Sequence, residues 1–248
     1  MEKSKFEEAK KPDFKENELI IDSSQHKSYA LIVANGCIEN PALVLEILLD
    51  NYHFNNKYLI ISADGAVKNC LKLKLIPDIV IGDMDSIEER DKEMIESHTI
   101  NTVYAKYPAE KNESDTQLAM EYALRNKIKN IILIGALGKR IDHSLANLFN
   151  IASDRFKDVN LRILDDNYEI SILRNSGEVK GIIGNTLSIF SLTSSTYFIN
   201  TDGLKYKLQN EELLFSPIRG ISNIFEKKSA QIDIKDGIIL LVKEIRHL

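Results

Sequence analysis

The chain has 248 residues, enough for one large domain or two modest ones, and two are expected here. Its 32 Lys and Arg stand against 37 Asp and Glu, a net charge of −5 that gives no general pull on nucleic acid or an acidic membrane, so a small-molecule partner is expected. Cys37 and Cys70 lack metal-ligand spacing, and neither a signal-peptide pattern nor an apolar run of about 18 residues is visible, which makes the cytosol the default compartment.

Residues 1–27 are charged and aperiodic apart from Leu19-Ile20-Ile21 and read as an extension. From Tyr29 the apolar runs Ala30 to Ala34, Tyr58 to Ser62, Ile79 to Ile81, Thr99 to Tyr104 and Asn130 to Ile134 read as strands. They alternate with helical segments at 42–50, 66–74, 87–97, 115–126 and 142–153. Such alternation predicts an α/β unit over residues 28–157, a mostly parallel sheet with helices on both faces. Ligands then belong at the carboxyl ends of the strands. Past residue 160 the texture changes to short β-prone runs, at 161–164, 169–173, 186–192, 204–208, 230–234 and 238–242. Turn signals at Asn175-Ser-Gly177, Thr201-Asp-Gly203 and Lys235-Asp-Gly237 punctuate them. This predicts an antiparallel β-sandwich over residues 158–248, with the boundary at 153–160.

Asp83 and Asp85 follow a short apolar strand and Gly82. In extended chain, residues i and i+2 point to the same side roughly 6.5 to 7 Å apart, so both carboxylates can converge on a cation. Two like charges about 4 Å apart cost on the order of 4 kcal/mol at an effective dielectric of about 20, so a converged pair needs a metal or a proton. Magnesium suits oxygen ligands. The alternative is a polar turn in which Asp85 or Ser86 caps the helix starting near Ile87. Asp64-Gly65 is either a strand-to-helix turn or, with its strand beside the third, a further carboxylate in the same crevice.

Ser114 with Gln117 forms a capping box that opens the 115–126 helix. Capping accounts for Ser114 but not for Asp115, whose charge suits the positive helix end and could also hold a phosphate-borne cation. Lys111 is a phosphate contact or a solvated loop charge. The segment Gly135 to His143 joins a strand to a helix, and its glycines let backbone N–H groups approach an anion. It is not a Walker A loop, because two residues separate Gly135 from Gly138 and Lys139-Arg140 follows. Arg140, His143 and Asn147 are spaced to share one helix face, with Leu145, Leu148 and Ala152 as the packing stripe.

In this order the segments resemble the thiamine pyrophosphokinase (thiamine diphosphokinase) family. The resemblance rests on Asn35-Gly36, Ala63-Asp-Gly-Ala66, Pro77-Asp78, Gly82-Asp-Met-Asp-Ser86, Glu110-Lys111 with Ser114-Asp115, Gly138 with Arg140-Ile-Asp-His143, and Asn147. In the β-rich half, Thr201-Asp-Gly-Leu-Lys-Tyr206 and Gly220-Ile-Ser-Asn223 resemble the thiamine-side signatures, so that the likeness spans residues 29–245. It implies transfer of the diphosphoryl group of ATP to the hydroxyethyl oxygen of thiamine, with AMP released, in a magnesium-dependent homodimer whose active sites lie between subunits.

By the same resemblance Asp64, Asp83, Asp85 and Asp115 would hold Mg2+. Arg140 would contact phosphate, Asn35, Gly65, Lys111, Gly138 and Lys139 would line the nucleotide site, and Asp142, His143 and Asn147 would complete that site or its junction with thiamine. Tyr206, Ser222 and Asn223 would meet thiamine. Four positions depart from the family pattern: Asn112 for Asp, Ser114 for Thr, Lys139 for a second glycine, and Tyr206 for Trp. Two alternatives stay open, a related magnesium-dependent diphosphotransferase and a catalytically impaired thiamine- or nucleotide-binding protein.

Overall fold

Continuous apolar runs form strands only where both sheet faces are covered, and the first half of the chain is built that way. The computed structural model describes residues 27–99 and 101–245, so the expected extension, apart from Lys27, lies outside the described residues. Strands β1 (Tyr29–Val33), β2 (Tyr58–Ala63), β3 (Ile79–Gly82), β4 (Val103–Lys106) and β5 (Asn130–Ile134) are all parallel. Helices α1 (Pro41–Tyr52), α2 (Val67–Lys72), α3 (Glu89–His98), α4 (Asp115–Arg125) and α5 (Ile141–Ala152) connect them. On one face Ile32, Ile61, Ile81 and Leu133 pack with Leu118 and Ala119 of α4 and Ile151 of α5. On the other, Leu31, Val33, Ile132 and Ile134 pack with Val44 and Leu48 of α1 and Cys70 of α2.

Helix ends follow local chemistry. The Asn40 side chain accepts the Leu43 N–H at 3.1 Å ahead of Pro41, and the Ser114 hydroxyl accepts the Gln117 N–H at 3.2 Å. Gln117 does not close the box but reaches forward to Glu121. The expected cap before Ile87 is not formed: α3 starts at Glu89 after an N-cap Glu88 with no side-chain cap bond. Glu121, 2 % exposed, is held by Nε and Nη2 of Arg155, each at 2.7 Å, which joins α4 to the short 3-10 turn after α5.

The sheet does not stop where the helices do. Strand β6 (Asn160–Leu164) pairs parallel with β5, and β7 (Tyr168–Leu173) turns back antiparallel. Beyond them come β14 (Ile239–Glu244), β9 (Thr186–Ser191) and β12 (Asn223–Ile224). The order is β12-β9-β14-β7-β6-β5-β1-β2-β3-β4, ten strands among the described residues. A second, antiparallel sheet contains β11 (Gln209–Leu214), β10 (Ser195–Asp202), β13 (Ser229–Asp236) and β8 (Gly177–Lys180), in that order. It packs on the distal part of the first through Phe198, Ile232, Phe225, Leu187 and Leu241. This is the expected α/β architecture with a C-terminal antiparallel sandwich, the sandwich sharing its larger sheet with the parallel half.

Residues 204–208 correct the sequence reading. They were expected as a strand but make one isolated bridge, Leu204 to Phe225. Gly203, at φ +86°, turns the chain out of β10, and the apolar-polar alternation of Leu204 to Leu208 runs through a loop. The strand is instead β10, whose polar sequence hides its inward set, Thr196, Phe198 and Thr201, each 0 % exposed. No described helix is long and apolar enough to cross a membrane. Phe198 joins β10 to both sheets, so Phe198→Ala should cost about 3–5 kcal/mol. A fall of that size in unfolding free energy by urea titration is the expected outcome; a change below about 1 kcal/mol would remove β10 from the core.

Candidate active site

Strand order reverses at β1: successive crossovers place β2, β3 and β4 on one side of it, and the chain then returns to lay β5 on the other. A crevice opens at the carboxyl ends of such strands. The loops after β1 and β5 meet there, with the Gly36 N–H donating to the Gly135 carbonyl at 2.7 Å and the Cys37 N–H to the Leu137 carbonyl at 2.8 Å. Asn69 of α2, which the sequence reading missed, clamps this junction. Its side-chain N–H donates to the carbonyls of Ala34 at 2.9 Å and Gly36 at 3.0 Å while only 3 % exposed. A buried Asn in a short amphipathic helix was the available signal.

Beside this junction the acidic groups converge. One carboxylate oxygen each from Asp64, Asp83 and Asp85 lies within 4.8 Å of the other two. Asp64 begins a 3-10 turn directly after β2 with φ +43°, is 7 % exposed, and accepts the Met84 N–H at 3.0 Å. Its place requires Gly82, since a Cβ there would sit 2.5 Å from the Asp64 Cβ. Gly65 is similarly closed in, by Ser86 and by the Asn35 amide, which lies 3.1 Å from where a Cβ would be. The Asp85 N–H donates to the Asp83 carboxylate at 3.2 Å, and that bond holds the Asp83 carboxyl below its ordinary value. Asp85 is exposed and accepts the Ser86 hydroxyl at 2.9 Å.

Asp115 opens α4 on the same rim, near enough for Asp64 and Asp83 to act on it electrostatically. Burial pushes its carboxyl up, the Lys111 ammonium pulls it back, and the charges of Asp64 and Asp83 push it up again. Its Oδ1 forms an ion pair with Lys111 Nζ at 2.8 Å but accepts no well-aligned hydrogen bond, and the Lys111 side chain is 12 % exposed. Lys111 is therefore a partly buried cation set into the carboxylate group and not a solvated loop charge. Three acidic side chains with oxygen donors this close, and a buried oxygen on the fourth without an aligned donor, fit a hard divalent cation such as Mg2+.

The loop after β5 behaves less simply. The Gly138 N–H, expected to be free for an anion, donates to the Ser144 hydroxyl at 3.1 Å. Arg140 is the N-cap of α5 without a side-chain cap bond, which leaves that helix start open. The Arg140 guanidinium forms a two-point pair with Asp142 at 3.0 and 2.6 Å, both side chains exposed, and holds the Asp142 carboxyl down at about 2. Lys139 and His143 are exposed nearby.

The predicted faces of α5 need correction. Asn147 turns inward, 6 % exposed, and donates to the Ala136 carbonyl at 2.8 Å, whereas Leu145 is 45 % exposed. Buried Asn147 and Ile151 mark the inward face of the helix, and Asn147 supplies a donor to the loop carbonyl of Ala136.

The remaining expected residues lie elsewhere. The Asn223 side chain clasps Tyr206, accepting its N–H at 2.9 Å and donating to its carbonyl at 2.6 Å, so its amide is spent on holding the Tyr206 loop. Tyr206 and Ser222 are exposed, with Lys205 Nζ 5.6 Å from the Tyr206 ring centre. Strand β12, which carries Asn223, is seven sheet positions from β2, roughly 35 Å across the sheet at the usual strand spacing. One chain thus brings the residues expected on the nucleotide side to one rim but does not bring Tyr206, Ser222 and Asn223 to them.

Comparisons with known proteins identify the fold and the family of both halves. Residues 51–163 match the family described as thiamin pyrophosphokinase, catalytic domain, and residues 167–239 match thiamin pyrophosphokinase, vitamin B1 binding domain. A thiamine pyrophosphokinase of Bacillus subtilis is 26 % identical over 186 residues, covering 74 % of this chain and 86 % of that protein. Thiamine pyrophosphokinase 1 of Oryza sativa is 26 % identical over 180 residues, covering 68 % and 67 %. Among solved structures, that of the Bacillus subtilis enzyme superposes with a TM-score of 0.76 at 22 % identity, covering 88 % of this chain and all of that one. The yeast thiamin pyrophosphokinase gives 0.70 at 16 % identity, covering 90 % and 88 %. With both halves matched in order along one polypeptide, the chain belongs to the thiamin pyrophosphokinase family.

Proposed function

We propose that this protein is a thiamine diphosphokinase, transferring the diphosphoryl group of ATP to the hydroxyethyl oxygen of thiamine to give thiamine diphosphate and AMP. The observation that carries the reading is the meeting of Asp64, Asp83 and Asp85 within 4.8 Å, beside Asp115 and Lys111, in a member of this family. In the reaction the thiamine oxygen forms a bond to the middle phosphorus, the bond from that phosphorus to the oxygen of the α-phosphate breaks, and AMP leaves with that oxygen. Bound Mg2+ would neutralise the polyphosphate. The protein's own task is then positioning and electrostatics.

Within that reading, Asp64, Asp83, Asp85 and Asp115 are the carboxylates that would hold the ion, and Lys111, paired with Asp115, would be placed to meet phosphate. Arg140 exchanges Asp142 for phosphate oxygens, with Lys139 and the open start of α5 adding positive potential. Gly65 lets Asn35 close over the crevice, Gly138 and Asn147 hold the loop, and Asp142 and His143 border it. We assign ATP binding to residues 28–157 and thiamine binding to residues 158–248, through Tyr206 and Ser222 with Asn223 as the residue that positions them. The two unpaired cysteines suit a cytosolic enzyme.

The roughly 35 Å between β12 and β2 supports a homodimer in which the thiamine side of one subunit faces the nucleotide side of the other. Exposed apolar residues near both sides suit such burial: Ile141, Leu145 and Phe149 on α5, and Phe215, Ile218 and Ile221 before β12.

Incubation with ATP, Mg2+ and thiamine should yield AMP and thiamine diphosphate in equal amounts, and thiamine-independent release of AMP would point to another acceptor. Asp85→Asn should lower kcat about 100-fold or more with unchanged circular dichroism. In a second measurement, Mg2+ at about a hundred times its Kd should stabilise the wild type by about 2.7 kcal/mol, and Asp83→Asn should lose most of that rise in melting temperature. Mixing Asp85→Asn with Tyr206→Ala tests the shared site: random pairing of two inactive chains restores about a quarter of wild-type activity if sites form between subunits, and none if each chain is self-sufficient.

A further inference from the structure

A cavity of about 500 Å³ opens where β6, β7 and β14 pass under the edge strand β8 of the second sheet. It includes Asn160 and Leu161 at the start of β6 and Arg174 to Ser176 after β7. In the β5–β6 register Asn160 is level with Asn130, the first residue of β5, so the cavity lies at the strand ends opposite the carboxylate rim. No residue of the candidate active site lines it.

Its charge runs against that of the chain. Lys157, Arg162, Arg174, Lys180 and Lys243 line it with only two carboxylates, Glu169 and Glu178, in a protein of net charge −5. At its floor Glu169, 4 % exposed, is shared by two cations on a single oxygen, Arg162 Nη1 at 3.0 Å and Lys243 Nζ at 3.2 Å, while the Tyr52 hydroxyl donates to its other oxygen. Two cations on one carboxylate leave a net positive charge; the Arg162 side chain is 35 % exposed and its Nε donates to Asn160, whereas the Lys243 side chain is 12 % exposed and carries the desolvated charge. Charge removed from water in this way is costly unless another anion completes it. Arg174 is not such a surplus cation, since it is spent on Asp154 and on the carbonyls ending α5. Lys157 and Lys180, at the mouth, have no ion pair among the described residues. Leu173 and Val179 supply an apolar wall, and the volume lies in the range of small-molecule sites.

We infer that this cavity binds a small organic oxyanion, with its carboxylate or phosphate group against Arg162 and Lys243 and its apolar body against Leu173 and Val179. Ser171 at the floor offers a hydroxyl to the same group. The site is independent of the diphosphoryl-transfer chemistry and does not require it.

Calorimetric titration of the full chain with phenyl phosphate and, separately, with benzoate tests this. Saturable one-to-one binding with Kd at or below about 1 mM is expected for at least one probe, and the tighter of the two identifies the anionic group. The double variant Lys157→Glu/Lys180→Glu, altered only at exposed positions, should weaken it at least about tenfold, as should Lys243→Met if its circular dichroism is unchanged. Arg140→Ala should leave it unaltered. Absence of saturable binding by either probe up to about 10 mM, undiminished binding in Lys157→Glu/Lys180→Glu, or loss in Arg140→Ala overturns the assignment.

Discussion

Like charges do not gather unless something stronger holds them, and here the parallel sheet does so. Asp64, Asp83 and Asp85 follow adjacent strands β2 and β3, whose side chains are almost wholly buried between two helical layers. The burial of those strands fixes where their carboxyl ends emerge, and the loops leaving them have little freedom to separate the carboxylates. Hydrogen bonds from Met84 N–H to Asp64 and from Asp85 N–H to Asp83 absorb part of the repulsion. Lys111 absorbs more at Asp115. What remains is a standing demand for positive charge, which is the property a polyphosphate-bound cation meets.

The same sheet also keeps the two halves of the family signature apart. Extending it through β6, β7, β14 and β9 gives one rigid layer, with the carboxylate rim near one side and the Tyr206 loop near the other. A rigid layer cannot fold over to join its own ends. This separation is the ground for the homodimer proposed above. The Asn223 clasp on Tyr206 fixes the loop of the distal half through two side-chain hydrogen bonds.

Several residues shape the site by fastening its loops. Asn69 fastens the loop after β1, Ser144 and Asn147 fasten the loop after β5, and Asp166 in the β6–β7 turn accepts the Asn40 N–H at the start of α1 at 2.5 Å. Each satisfies backbone groups that would otherwise be left without partners at loop junctions. Rigid loops matter to electrostatic catalysis because a donor or carboxylate that must reorganise gives back the energy it supplies.

The amino-acid sequence by itself determined the alternation of strand and helix, the five parallel strands, the capping serine of α4 and the identity of the carboxylates, because these follow from local periodicity and the spacing of residues within one turn. It misplaced a strand at 204–208 and missed β10, where inward Thr196 and Thr201 look polar in a list of residues and are buried only because a second sheet covers them. It named Arg140, Asp142 and Asn147 but could not tell that the first two pair with each other while the third faces the core. Only tertiary structure decided which loops touch, how α5 is rotated, and that the nucleotide and thiamine signatures lie at opposite sides of a ten-stranded sheet. Those outcomes depend on which distant surface covers each face, and that is a property of the packed chain that no local stretch of residues carries.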